Sequence, residues 1–101
     1  MPELLSDTEI ADGLATLPGW TQDGSAISKT WERKGFLGVV NLANAIAFAA
    51  NELNHHPDLF IHGYNKLTVT LTTHSAGGIT ANDLHAARVM ENLTNVASSA
   101  G

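Results

Sequence analysis

Five histidines are the residues of this sequence best suited to chemistry near neutral pH. Two of them are adjacent in "NHHPD" and precede Pro57; the full set is His55, His56, His62, His74 and His85. Imidazole is the side chain that exchanges a proton closest to neutral pH, and it is also a common metal ligand. The adjacent pair therefore has three interpretations: a proton-transfer site, part of a metal site, or ordinary solvated residues at a helix end.

The spacing of the histidines argues against a shared metal ion. No two of them are four positions apart, the separation that places two ligands on one face of a helix. Adjacent residues project in different directions, so His55 and His56 are poorly placed to bind one ion. The sequence has no cysteine and therefore no thiolate ligand. A site of three histidines assembled from distant positions stays open as an alternative.

The proton-transfer interpretation depends on where the two rings lie. We expect His55 in the last turn of a helix, whereas Pro57 disfavours helical geometry at His56 and directs that side chain elsewhere. Two imidazoles in different electrostatic surroundings suit the roles of acid and base. His74 joins them if the strand that precedes it lies beside the end of the helix. The remaining histidines, His62 and His85, are interpreted as surface residues.

Hydrophobic spacing predicts the elements that position these residues. Ser6 and Glu9 form a capping box at the start of a first helix, and Asp23-Gly24 is typical of a hairpin turn between two strands. The segment 36–56 is the strongest predicted helix, because its apolar residues recur at three- and four-residue spacing. That apolar stripe consists of Phe36, Val39, Ala43, Ile46, Ala50 and Leu53.

Two more strands and a third helix follow. Between positions 58 and 74, leucine and valine come to alternate with threonine, which predicts an antiparallel strand buried on one side. Thr80 and Asp83 form a second capping box, and the inward stripe of the helix after it is predicted as Ala86, Val89, Leu93 and Val96. Three helices on one face of a four-stranded antiparallel sheet would bury every stripe, so the predicted fold is α+β. The open face or an edge strand of that sheet would favour self-association.

Length and composition limit the classes of protein that remain. A chain of 101 residues suggests a single domain spanning 1–101. The net charge of −5 and the scattered lysine and arginine residues argue against direct binding to nucleic acid. No stretch has the unbroken apolar length of a membrane span, and "MPELLSDTEI" lacks the features of a secretory signal. We therefore expect a soluble, cytoplasmic protein without a membrane partner.

Several residues, taken in order, resemble the pterin-4a-carbinolamine dehydratase family. They are "HHP" at 55–57, "YNK" at 64–66, "TTH" ending at His74, Asp83, and "GW" at 19–20. The "HHP" motif alone is a weak signal, but Tyr64 ten positions before His74 and Asp83 nine positions after it make a fairly specific set. The resemblance covers roughly residues 6–97, nearly the whole chain.

The resemblance implies a fold, a reaction and a site. The fold is the same α+β arrangement, and the reaction is dehydration of 4a-hydroxytetrahydropterin to quinonoid dihydropterin without a metal or an organic cofactor. The family also implies a homodimer or a dimer of dimers. By resemblance, His55, His56 and His74 are the active-site histidines. Asp83 matches the family's later aspartate and Trp20 a tryptophan near the pterin, although a core position for Trp20 is the alternative.

The position four residues before His55 departs from the family, which usually has an ionisable residue there. In this sequence the position is Asn51, which accepts a hydrogen bond but supplies no charge. Residues four apart share a helix face, so a carboxylate there would stabilise a charged His55. Glu52 lies three positions before His55 and is expected to compensate in part. Asn51 and Glu52 are therefore assigned to the substrate-binding site.

Two other functions stay open. Some members of the resembling family act as dimerisation cofactors of a homeodomain transcription factor, a role that would use a helix surface and not the histidines. A pterin-binding protein with weak or no turnover is the other alternative, and Asn51 is the residue that supports it.

Overall fold

Helices and strands alternate along the chain in the predicted order. The computed structural model describes the backbone of residues 3–100 and the side chains of residues 3–94. The elements are α1 (Asp7–Leu14), β1 (Thr21–Asp23), β2 (Ala26–Glu32), α2 (Phe36–Leu53), β3 (Asp58–His62), β4 (Lys66–Leu71), a 3₁₀ turn (His74–Ala76) and α3 (Ala81–Ala100). The predicted capping box at the start of α1 is confirmed, with both Ser6–Glu9 hydrogen bonds present.

The four strands form one antiparallel sheet in the order β1-β2-β4-β3. The central strands pair so that Trp31 lies opposite Leu67, and the buried residues of β4 are the predicted leucines and valine. The opposite face carries the threonines, among them Thr30 and Thr68, whose hydroxyls are 2.7 Å apart. The predicted α+β fold and the predicted alternation in β4 are therefore confirmed.

The buried stripe of α2 supplies a large part of the core. The residues buried along this helix are Val39, Leu42, Ala43, Ile46 and Ala50. Most of the predicted stripe is confirmed, but Phe36 at the first position of the helix is 53% exposed. Contrary to the sequence-based expectation, α2 is long and apolar enough to cross a membrane, with a mean hydropathy of 1.4 over 18 residues. One side of the helix packs against α3 and the sheet, and 28% of the 18 residues are buried.

The α2 helix ends earlier than the sequence predicts. Its last residue is Leu53, and Asn54 adopts a left-handed conformation with φ 51° and ψ 40°. Asparagine enters this region more readily than other residues with a Cβ, which makes it a common helix terminator. The predicted role of Pro57 in ending the helix is therefore wrong, and His55 lies beyond the last turn.

Polar residues occupy part of the inward face of α3. The buried positions are Asp83, Ala86, Ala87, Met90, Glu91 and Thr94. Ala86 is the predicted residue that is fully buried, whereas Val89 and Leu93 are half-buried and Val96 lies outside the described side chains. The predicted stripe was displaced because three of the inward positions are polar, so the apolar periodicity pointed to a neighbouring face.

Glu91 is one of these buried polar residues, and it explains why a lysine, Lys29, can lie among the apolar residues of β2. Its Oε1 accepts a hydrogen bond from Trp20 Nε1 at 3.0 Å and forms an ion pair with Lys29. The Lys29 ammonium also donates to the Pro18 carbonyl at 2.8 Å. Lys29, which interrupts the apolar alternation of β2, therefore has its charge matched by a carboxylate from α3.

The left-handed residue after α2 generates a stability prediction. Asn54→Ala should lower the free energy of unfolding by about 1 kcal/mol relative to Asn54→Gly, because the Cβ of alanine comes too close to the following carbonyl oxygen in this conformation and glycine has no Cβ. Urea denaturation of the two variants measures the difference. An alanine variant as stable as the glycine variant would contradict this account of the helix end.

Candidate active site

The turn that ends α2 positions His55. The His55 N–H donates to the Ala50 carbonyl at 3.1 Å, a bond that spans five residues and closes the helix in the manner of a Schellman motif. The His55 side chain is half-buried, whereas His56 is exposed. The backbone at the helix end therefore directs the two adjacent rings into different surroundings.

Asp83 is the charged partner of His55. The distance from His55 Nε2 to Asp83 Oδ1 is 2.6 Å, and the Asp83 side chain is completely buried. The second carboxylate oxygen, Oδ2, accepts from the Thr73 hydroxyl at 2.8 Å and from the Thr80 N–H at 2.9 Å. The sequence suggested a charged partner for His55 at position 51 or 52. In the structure that partner is Asp83 of α3.

Further hydrogen bonds hold the two threonines that contact Asp83. The Thr73 and Thr80 hydroxyls are 2.8 Å apart, and the Asn82 N–H donates to the Thr80 hydroxyl at 3.2 Å. Because the Thr73 hydroxyl proton goes to Asp83, the Thr80 hydroxyl donates to Thr73. Linked hydrogen bonds of this kind polarise one another and restrict the orientation of each member. The predicted capping box is present in altered form, since the Thr80 hydroxyl accepts from Asn82 and not from Asp83.

The donors around Asp83 determine what His55 can do. The Thr73 hydroxyl and the Thr80 N–H both donate to Asp83, which is the environment of an ionised carboxylate. His55 Nε2 therefore carries the proton in its contact with Asp83. An aspartate in this position holds an imidazole in one orientation and one tautomer. The other ring nitrogen, Nδ1, is left to release or take up a proton.

The adjacent histidines line different cavities. His55 borders a recess of about 100 Å³ between the end of α2 and the start of α3. His56 borders a more open cavity of about 400 Å³, which it shares with Asn51 and with apolar side chains such as Phe48 and Leu59. Asn51, four positions before His55, therefore lies in the cavity of His56 and not beside His55. The reason is that α2 ends at Leu53, before the helical spacing could bring residues 51 and 55 together.

Two other predicted site residues, His74 and Glu52, have no direct contact with His55 or His56. His74 begins the 3₁₀ turn and is exposed, one residue after Thr73, which donates to Asp83. It lines neither the recess nor the larger cavity. Glu52 is exposed on α2. The roles of these residues in substrate binding and catalysis stay predictions.

Trp20 lies in the core. Its side chain is 4% exposed, and its ring meets Trp31 edge-to-face with centroids 5.7 Å apart. Its indole N–H is occupied by Glu91, eight positions along α3 from Asp83. This position agrees with the core alternative, and stacking of Trp20 on a pterin stays a prediction.

Three residues near His55 and Asp83 were not assigned to the site from the sequence: Thr73, Asn82 and His85. His85 is exposed, as predicted. Asn82 and His85 line the recess with His55, and Thr73 contacts Asp83. Asn82 and His85 flank Asp83 at three-residue spacing, a signal that the sequence carries. The contact of Thr73 with Asp83 joins positions ten apart across a turn, and local spacing does not reveal it. Within the described residues, no three histidine, aspartate or glutamate side chains are grouped so that they could hold one metal ion.

Comparisons with known proteins identify the family. The family model described as pterin 4 alpha carbinolamine dehydratase matches residues 3–93. A protein of Thermosynechococcus vestitus, provisionally named pterin-4-alpha-carbinolamine dehydratase, is 45% identical over 96 residues, which are 95% of this chain and 100% of that protein. A protein of Nocardia farcinica with the same provisional name is 44% identical over 91 residues, 90% of this chain and 95% of its own length.

A solved structure agrees with the sequence relatives. The crystal structure of a transcriptional coactivator/pterin dehydratase from Brucella melitensis superposes with a TM-score of 0.81 at 34% identity, covering 88% of this chain and 96% of that one. The extent of the family match and the identity of these relatives show that the chain belongs to the pterin-4a-carbinolamine dehydratase family.

Proposed function

We propose that this protein dehydrates 4a-hydroxytetrahydropterin to quinonoid dihydropterin, with His55 as the proton donor to the leaving hydroxyl. The observation that carries the proposal is the 2.6 Å contact between His55 Nε2 and the buried carboxylate of Asp83. Membership of the family supplies the substrate class, and the histidine–aspartate pair supplies an oriented acid–base group. A cytoplasmic location belongs to the same proposal.

The reaction needs one acid and one base. The 4a-hydroxyl leaves poorly as hydroxide, so protonated His55 transfers the Nδ1 proton to its oxygen. The C4a–O bond breaks and water departs, while the lone pair of the neighbouring ring nitrogen forms a double bond to C4a. A ring N–H then loses its proton to a base, which gives the quinonoid dihydropterin. The substrate yields product and one water, and the protein recovers the proton that it gave.

His56 and His74 are the candidates for the base and for holding the pterin. His56 shares a cavity of about 400 Å³ with Asn51 and several apolar side chains, surroundings that suit a planar ring with polar edges. His74 follows Thr73, so it lies next to a residue that contacts the carboxylate anchoring His55. In this proposal His56 holds the pterin or accepts the ring proton, and His74 is the other candidate for that base.

Substitution of His55 tests the proposal directly. His55→Gln should lower kcat for dehydration of freshly generated 4a-hydroxytetrahydropterin about 10²- to 10⁴-fold, the usual contribution of a general acid. Stopped-flow measurement of quinonoid dihydropterin formation gives the value.

A second histidine provides a matched control for this measurement. His62 lies on the open face of the sheet, where its Nε2 is 2.8 Å from the Thr68 hydroxyl and its ring stacks on Phe60. His62→Gln should keep the wild-type kcat. Normal activity in alanine variants of His55, His56 and His74 would contradict the proposal. A wild-type protein that binds dihydropterin without turnover would support the alternative of a pterin-binding protein.

The two carboxylates assigned to His55 can be distinguished by experiment. Asp83→Asn should lower kcat on the order of 10²-fold, because an amide in place of the carboxylate no longer enforces the catalytic tautomer of His55. Glu52→Gln should change kcat by less than about twofold, because charge pairs at exposed positions contribute little. Steady-state kinetics on both variants measure this, with thermal unfolding to confirm that each is folded. A loss confined to Glu52→Gln would contradict the His55–Asp83 pair.

An interaction role is the second candidate, and the outer surface of α2 favours it. Leu37 and Phe48 are 72% and 77% exposed, and Asn41 and Asn44 lie exposed between them. Positions 37, 41, 44 and 48 are separated by four, three and four residues, the spacing of a helix-association seam. This seam suits the predicted homodimer or homotetramer, and equally a different protein. The Brucella melitensis relative is named both as a transcriptional coactivator and as a pterin dehydratase.

The oligomer can be tested at this seam. The double variant Leu37→Lys, Phe48→Lys should reduce the assembly to monomers in light scattering, because association would bury two ammonium groups. Phe60→Lys is the control for the open face of the sheet, since Phe60 is 62% exposed there on the edge strand β3. Dissociation by Phe60→Lys alone would place the interface at the sheet, and a monomeric wild-type protein would contradict the homo-oligomer.

A further inference from the structure

The recess beside His55 is lined by side chains that the proposed mechanism does not use. It has a volume of about 100 Å³, and four of its five lining residues are polar. Asn54 and His55 come from the end of α2, whereas Asn82 and His85 come from the start of α3. The recess is therefore a mostly polar space bordered by His55.

His85 lies on the same helix as the carboxylate that anchors His55. Asp83 is completely buried, whereas Asn82 and His85 are exposed on either side of it in the sequence of α3. Residues three apart are neighbours on a helix surface, so Asn82 and His85 form one wall. His55, fixed by its 2.6 Å contact with Asp83, borders the same space from the end of α2. Two imidazoles thus border a single small space.

We propose that His85 hydrogen-bonds the 4a-hydroxyl of the substrate and keeps that bond as the hydroxyl departs as water. The proposal rests on the proposed function, because it concerns the group that His55 protonates. It assigns His85 a second contact with that hydroxyl, beside the proton transfer from His55. Asn82 shares the wall and helps to solvate the departing water.

The size of the recess favours the hydroxyl over the pterin ring as its occupant. One water molecule takes about 30 Å³ in the liquid, so the recess holds a few waters and is too small for a bicyclic ring. C4a is tetrahedral in the substrate, so its hydroxyl projects from the ring plane. The hydroxyl can therefore enter the recess while the ring stays outside.

The lone pairs of the hydroxyl oxygen allow both histidines to act on it. One lone pair takes the proton from His55, and the other accepts an N–H from His85. When the C4a–O bond breaks, the bonding electrons remain on the oxygen, and the water that forms still accepts from His85. The contact with His85 is therefore kept through the step in which the C4a–O bond is lost.

The experiment compares a ligand that has the 4a-hydroxyl with one that lacks it. In His85→Leu, kcat/KM for 4a-hydroxytetrahydropterin should fall about three- to tenfold, the usual effect of losing one neutral hydrogen bond. The inhibition constant of 7,8-dihydropterin, which has no 4a-hydroxyl, should stay unchanged. His85→Gln keeps an N–H donor and should recover most of the lost kcat/KM. His62→Leu is the control for a histidine outside the recess, and thermal unfolding confirms that each variant is folded.

Each outcome decides the assignment. Equal weakening of substrate and 7,8-dihydropterin in His85→Leu would mean that His85 contacts the ring, and unchanged values for both would mean that it contacts neither ligand. Either result overturns the proposed contact of His85 with the hydroxyl. The proposed dehydratase function still holds in both cases if the wild-type protein turns over normally. Absence of wild-type turnover would refute the proposed function itself, and the role of His85 with it.

Discussion

A carboxylate buried on the inner face of α3 is the constraint around which the candidate site is organised. An ionised carboxylate removed from water is costly unless donors surround it. Asp83 meets this requirement with His55 from the end of α2, with Thr73 from the segment after β4, and with the Thr80 N–H at the start of its own helix. Three segments must therefore meet at one point. The fixed orientation of the His55 ring is a consequence of satisfying that charge.

The same requirement recurs further along α3 and fixes the position of the helix. Glu91 lies eight residues beyond Asp83, about 12 Å along the helix axis. It is matched by Lys29 from β2 and by Trp20 from the loop before β1. A rotation of α3, or a shift by one turn, would remove the donors from both carboxylates at once. Polar contacts therefore act together with the packing of Ala86, Ala87 and Met90 to determine how α3 lies on the sheet.

The alternation of apolar residues predicted most of the elements and the antiparallel sheet, whereas the long-range partners of individual buried polar residues were not predicted. The alternation of β4 and the capping box of α1 follow from neighbouring residues, and both are present. The inward stripe of α3 was displaced because Asp83, Glu91 and Thr94 look like surface residues in sequence.

The candidate site shows the same division. Its histidines were proposed from a motif, and their roles stay predictions. The partner of His55 was sought at positions 51 and 52, where an uninterrupted helix would place it. The contact that forms joins residues 28 positions apart, and it became possible because Asn54 ends the helix first. Nothing in the spacing of the two residues reveals that contact.

The left-handed Asn54 also explains how two adjacent histidines can serve different purposes. On a continuous helix, neighbouring side chains are about 100° apart around one axis and would face a shared surface or solvent. After the turn, His55 faces the small polar recess next to α3, and His56 faces the larger cavity lined by Phe48 and Leu59. A small polar space suits proton exchange and the departure of water, whereas a larger apolar surface suits the faces of a planar ring. The adjacency that argues against a shared metal ion is thus what brings the proposed acid, His55, next to the proposed pterin-binding cavity of His56.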